Sequence, residues 1–139
     1  MSDNKTKLRR FVEEGLNKGN MALVDETIAP DAVDHALPPG LPPNREGVKM
    51  FFTGFRAAFP DLTYMIDDEV EEGDRIVQRV TGRGTMKGDF QGMPATGKTG
   101  TWQEMHIARM SGGMIAEHWA VVDQMGMLIS LGVMPPPGG

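Results

Sequence analysis

The chain has 139 residues, no cysteine, and a formal net charge of -5 from 19 acidic and 14 basic side chains. That length predicts one domain able to bury a core unaided, the missing thiols exclude disulfides, thiolate catalysis and cysteine-ligated metal, and the acidic balance argues against a nucleic-acid partner, whose phosphates need a basic face. No run approaches the roughly 18 apolar residues of a membrane span and the start of the chain carries no apolar signal region, so a cytoplasmic protein without a membrane partner is expected, with a single domain over 1–134 and a flexible Pro/Gly tail over 135–139.

Behind Ser2 and Asp3, which can cap a helix, Leu8, Phe11, Val12 and Leu16 recur at helical spacing until Gly19-Asn20 ends the run. The basic cluster Lys7-Leu8-Arg9-Arg10 reads as the solvated face of this first helix. A shorter helix carries Leu23, Val24 and Ile28 and ends at Pro30. The proline-rich stretch from Asp31 to Asn44 reads as a loop with His35 near its start. Val48, Phe51, Phe52, Phe55 and Phe59 form the apolar stripe of a third helix, stopped by Pro60. From Leu62 the period changes to two: Leu62, Tyr64 and Ile66 alternate with polar residues, and Glu72-Gly73-Asp74 turns the chain into a strand from Arg75 to Met86. A Gly-rich bend, 88–97, leads to two further strands, Lys98 to Met110 and Met114 to Asp123, joined by Ser111-Gly112-Gly113. Gln124 to Val133 has room for one or two helical turns. Three helices followed by four long strands predict an α+β fold, a bent antiparallel sheet with helices covering one face.

Alternation places Trp102, Glu104, His106 and Ala108 on one face of the third strand and His118, Ala120 and Val122 on one face of the fourth. A three-residue loop at Ser111-Gly112-Gly113 pairs Met110 with Met114. His106 then lies opposite His118, and Glu104 opposite Ala120, in a single patch. Trp119 has the opposite parity, so it is expected on the outer face as a subunit contact, giving a homodimer through that face. Two facing histidines suit a pH-sensitive pair, orienting groups or metal ligands, but no metalloprotease-type signature accompanies them, so no metal is assigned.

The pieces Gly88-Asp89-Phe90-Gln91-Gly92-Met93-Pro94-Ala95-Thr96-Gly97-Lys98, Gly113-Met114-Ile115-Ala116-Glu117-His118-Trp119, Asp123-Gln124-Met125-Gly126-Met127 and Leu131-Gly132 resemble the SnoaL-like polyketide cyclases, or ester cyclases, in order and spacing. The resemblance implies a cone like that of nuclear transport factor 2, whose bent sheet and N-terminal helices enclose a pocket for a small hydrophobic molecule. It also implies an enzyme without metal or organic cofactor, closing a ring by intramolecular aldol condensation with one carboxylate as acid/base. On this basis His35, Phe52, Phe55, Trp102 and Ala120 are expected to bind substrate, and Glu104, His106, His118 and Asp123 to supply the chemistry.

One departure bears on the reaction. The ring-closing cyclases align as His-Trp-Asp, with that Asp as the acid/base, where this chain reads His118-Trp119-Ala120. Alanine can neither take nor return a proton. Three readings follow: Glu104 substitutes as the base; Asp123 does so if a bulge or the strand end turns it inward, although it also suits capping of the helical turn after it; or the pocket binds a ligand without reacting. A hydroxylase or hydrolase variant of the same fold also remains open, since one cone serves many chemistries.

Overall fold

The computed structural model describes residues 2–138; Met1, at the start of the expected domain, and Gly139, at the end of the expected tail, lie outside the described residues. Ser2 Oγ accepts from the Lys5 amide at 3.0 Å and starts α1 (Asp3–Arg10). The helix widens into a π-helical segment, Phe11–Leu16, in which the Asn17 amide donates to the Val12 carbonyl five residues back at 3.0 Å. Arg56 Nη1 closes its C-terminal end by donating to the carbonyls of Leu16 and Asn17 at 2.9 and 3.0 Å. The basic cluster of α1 is consumed by neighbours: Lys7 Nζ donates to the Gly113 carbonyl, Arg9 pairs with Glu13 and Glu69, and Arg10 pairs with Glu14 and Glu26.

A short helix α2 (Ala22–Thr27) leads directly into a strand, β1 (Ile28–Asp34), within the stretch expected to be helix end and loop. The strand count is therefore five. Pro30 hides this strand from sequence reading, yet it is tolerated because β1 is an edge strand, where a missing N–H breaks no ladder. Asn44 Oδ1 accepts from the Gly47 amide and starts α3 (Arg45–Ala58). Then follow β2 (Thr63–Glu72), β3 (Arg75–Thr85), β4 (Thr99–Ser111), β5 (Met114–Val122) and the short α4 (Gln124–Ser130).

The sheet order is β1-β5-β4-β3-β2, antiparallel throughout except for the parallel β1/β5 pair. Two bulges bend it. Asp67 has no partner between the Ile66–Val80 and Asp68–Arg79 pairs, and Ala116 none between Met110–Ile115 and Arg109–Glu117. Each extra residue raises local twist and curves the strand. The two long helices cover the concave face. At its closed end the sheet is lined by Gly82, Gly84 and Gly100, against which Trp102, Phe59 and Leu131 lie flat. Phe55, Phe59, Phe90 and Trp102 pack there with ring centroids 5.0 to 6.1 Å apart. This α+β arrangement is the cone expected from sequence. Among the described residues no helix is long and apolar enough to cross a membrane.

Candidate functional site

Between the helices and the concave face lies a cavity of about 500 Å³, walled mainly by aliphatic and aromatic side chains of α1, the π-helical segment, α3 and the inner strands. Phe52 and Phe55 line it, as do Glu104, His106, His118 and Ala120. The inner-face strand residues reach it together because the parity inferred from sequence holds, although the register does not. The β4–β5 connection is a two-residue turn in which Gly112 and Gly113 both have positive φ, 60° and 78°, as a right-twisted hairpin favours. That turn shifts the pairing by one, and the Ala116 bulge shifts it by one more. His106 therefore faces Ala120, His118 faces Ala108, and Glu104 faces Val122. Two single-residue departures add to an even number, so every side chain keeps its face.

His106 and His118 are thus diagonal neighbours, and their rings lean together: His106 Nδ1 lies 2.9 Å from His118 Nε2. His106 Nε2 is 2.7 Å from Glu104 Oε1, and His118 Nδ1 is 3.0 Å from Asp34 Oδ2. The four side chains form one unbroken line, Glu104–His106–His118–Asp34. Its ends are fixed. Trp102 Nε1 donates to Glu104 Oε2 at 2.7 Å, and the Ala36 amide donates to Asp34 Oδ1 at 2.8 Å. Burial disfavours charge on Asp34, but the hydrogen bond and charge of His118 outweigh it and hold the carboxyl below its ordinary value. Tyr64, buried beside Glu104, has its hydroxyl pushed well above the usual tyrosine range, first by desolvation and then by the charge and hydrogen bond of Glu104.

The line obeys a strict proton count. A hydrogen bond needs one proton, and each of the three links joins two atoms that both become acceptors when deprotonated. Three links hold three protons. With two carboxylates and two imidazoles that fixes the net charge at -1, one proton more than two carboxylates and two neutral rings carry. Keeping at least one N–H on each ring leaves four placements, with the surplus proton on Glu104, His106, His118 or Asp34. Adjacent placements differ by one hop within one hydrogen bond.

Asp34 was missed by sequence reasoning because it falls in the stretch read as a loop. The sequence carries no signal for it, because the alternation of buried Ala32 and Asp34 about exposed Val33 shows only in the folded strand. Three expected site residues stand elsewhere. His35 does not line the cavity: it follows Asp34 just past the end of β1 and lies on the opposite face, where it stacks on Trp119 at 5.2 Å and pairs with Glu117 at 2.7 Å. Its amide donates to the His118 carbonyl at 2.9 Å, so β1 grips β5 on both faces. Trp102 shares the inner face but is 3% exposed, buried under the α3 aromatics and absent from the cavity wall, so it is held to Glu104 and has no face free for a flat ligand. Asp123 caps α4, accepting from the Gly126 amide at 2.9 Å, and is exposed, outside the cavity wall. Trp119 lies on the outer face, with the Arg75 guanidinium 5.0 Å from its ring. Among the described residues no cluster of three or more His, Asp or Glu is arranged to hold a metal ion.

A family model for the SnoaL-like polyketide cyclases matches residues 6–131, and the chain belongs to that family. No curated protein matches it. Among solved structures it is similar to IdmH, a candidate polyketide cyclase from Streptomyces antibioticus, at 34% identity over 93% of this chain and 98% of that one, with a TM-score of 0.82. It is also similar to TsrD from Streptomyces laurentii, at 26% identity over 95% and 96% of the two chains and a TM-score of 0.87. AclR, a candidate hydroxylase from Streptomyces galilaeus, shares 26% identity over 98% of this chain and 85% of its own, with a TM-score of 0.85.

Proposed function

We propose that this chain is an enzyme that performs acid–base chemistry on a hydrophobic, polyketide-like carbonyl compound, without a cofactor. The observation that carries this reading is the Glu104–His106–His118–Asp34 line on the wall of an otherwise apolar cavity. A cavity that only holds an apolar ligand has no use for four coupled titratable groups, and desolvating them costs stability. Here they are hydrogen-bonded at every link, which keeps one mobile proton inside the pocket. The line does in several residues what a single aspartate at position 120 does in the ring-closing relatives. One imidazole accepts a proton from an activated C–H, the other polarises the carbonyl oxygen, and each is oriented by a carboxylate behind it. Ala120 leaves open space opposite His106.

The test is exchange of α-protons for deuterium in D2O, and turnover, across a panel of hydrophobic β-keto esters. Glu104→Gln removes the carboxylate behind His106 while keeping its shape and an acceptor. Rates are expected to fall by roughly 10²-fold or more with ligand affinity nearly unchanged. Equal rates in the variant would remove Glu104 from the mechanism. Unaltered ligand after long incubation with the wild-type protein, with no α-exchange, would leave a binding domain.

A further inference from the structure

The proton line has one joint that a ligand is able to enter. Both outer links end on buried carboxylates, with side chains 5% and 9% exposed, whereas the central link joins two imidazoles that are 26% and 23% exposed and line the cavity. Among the described residues no buried side-chain nitrogen or oxygen lacks a hydrogen-bond partner. Of the links in the line, the His106–His118 bond joins the two most exposed groups, so it is the link that a polar ligand atom reaching the wall of the cavity enters most readily. Position 120, directly opposite His106, carries only a methyl group, so the approach to that joint is free of a competing carboxylate.

From this geometry we infer that the two histidines form an oxyanion fork: the central bond opens and His106 Nδ1 and His118 Nε2 both donate to one oxygen of an ionisable hydroxyl, an enol or a phenol, bound as its anion. The step balances. In the resting line one of those two nitrogens bears a proton and the other a lone pair. When they part, the lone pair accepts the ligand's O–H proton; the O–H bond breaks, an N–H bond forms, and the bonding electrons stay on oxygen. Both rings are then imidazolium, each backed by its own carboxylate, Glu104 or Asp34. The line goes from -1 to neutral, the ligand from neutral to -1, and the sum is unchanged. No proton crosses to solvent. This deepens the acid–base reading and rests on it: the same opened joint that strips a hydroxyl strips a C–H next to a carbonyl.

The probe is para-nitrophenol, whose anion absorbs at longer wavelength than the neutral form, with para-nitroanisole as the analogue that has no proton to give. Each is titrated into the protein well below the pH at which the phenol ionises in water. The expected result is a phenolate spectrum for bound nitrophenol with no net proton uptake or release, read by calorimetry in buffers of different ionisation enthalpy. His106→Asn and His118→Asn are expected to weaken nitrophenol by roughly ten- to hundredfold, the worth of one hydrogen bond to a charge, and to leave nitroanisole unaffected. Nitroanisole binding also reports whether each variant keeps its cavity. A neutral spectrum for nitrophenol bound to wild type overturns the fork, and so does a phenolate spectrum accompanied by release of one proton to buffer; both are decided without any variant. Phenolate binding with no α-exchange or turnover of any β-keto ester would sink the acid–base reading and leave the fork standing, while turnover with nitrophenol bound neutral would do the reverse.

Discussion

Asp34 is the residue with the largest leverage on this site, because it anchors one end of the line from an edge strand. Its carboxyl is held below the ordinary value against the cost of burial. A depressed value means that its share of stability is complete above the unfolded carboxyl's value, about pH 4, and is lost as the pH falls through the folded one. Asp34→Asn keeps the shape and the Ala36 contact but removes that charge. It is expected to cost about 2 kcal/mol at neutral pH, the worth of a charge-assisted hydrogen bond, and to flatten the acid limb of the stability curve, as urea titrations at several pH values would show. Tyr64 works in the opposite direction. It is the chain's single tyrosine, and its raised hydroxyl favours the folded state fully below roughly pH 10, with that share lost as the pH climbs from there toward the folded value. The tyrosinate absorbance should therefore rise together with alkaline unfolding and not ahead of it, and Tyr64→Phe should move alkaline unfolding upward. A tyrosinate signal from folded protein near pH 10 would contradict the burial and the contact with Glu104.

Among the strands, β3 carries a position closed to a side chain. A Cβ on Gly82 would lie 2.5 Å from the Trp102 indole, which rests flat on the bare backbone. Gly82→Ala is expected to cost about 1–3 kcal/mol through overpacking. Because it pushes the indole off Glu104, it should also lower α-exchange activity, whereas Gly54→Ala, in open space on α3, should do neither. How far the elements were legible in the sequence depends on what each one signals. Phe55 and Phe59 declare their helix by spacing alone, and His106 and His118 declare a shared face by parity. The exact partner of His106 was not legible. A loop of two or three residues is equally compatible with Ser111-Gly112-Gly113, and a bulge at a residue as ordinary as Ala116 leaves no mark in the sequence. The edge strand β1 was hidden because Pro30 and Asp31 break alternation where pairing with β5 is interrupted. With β1 hidden, Asp34 had no position to be argued from. His35 was misplaced for the same reason, since only the strand shows that adjacent residues 34 and 35 point to opposite faces.

For the whole molecule, the question is what keeps the helical cover on the sheet above a hollow interior. A buried ionic latch does part of this. Arg9 Nε of α1 donates to Glu69 Oε1 of β2, and Glu69 Oε2 accepts from Gln78 Nε2 of β3 at 2.9 Å; the Glu69 side chain is only 4% exposed. Removing the cation leaves a buried carboxylate with one neutral donor. Arg9→Ala is expected to destabilise by about 1–3 kcal/mol, less than for a fully buried pair because Arg9 itself is one-third exposed. It should also speed amide exchange along α1 before the sheet strands, and uniform exchange in all elements would argue that cover and sheet open as one unit. The latch stands beside the proton line, since Gln78 pairs with His106 across β3 and β4. Loosening the cover therefore reaches the ring that faces the ligand.

The bulges at Asp67 and Ala116 have a further consequence for how such pockets diversify. Each is one residue that belongs to no pair, so deleting it leaves the flanking partners in step: without Ala116, Glu117 still meets Arg109 and His118 still meets Ala108. What changes is the bend of the strand, and with it the breadth of the bowl. A lineage can widen or narrow its chamber by a single-codon insertion or loss at these points while every lining side chain keeps its neighbour, which separates the evolution of substrate size from the evolution of the chemistry.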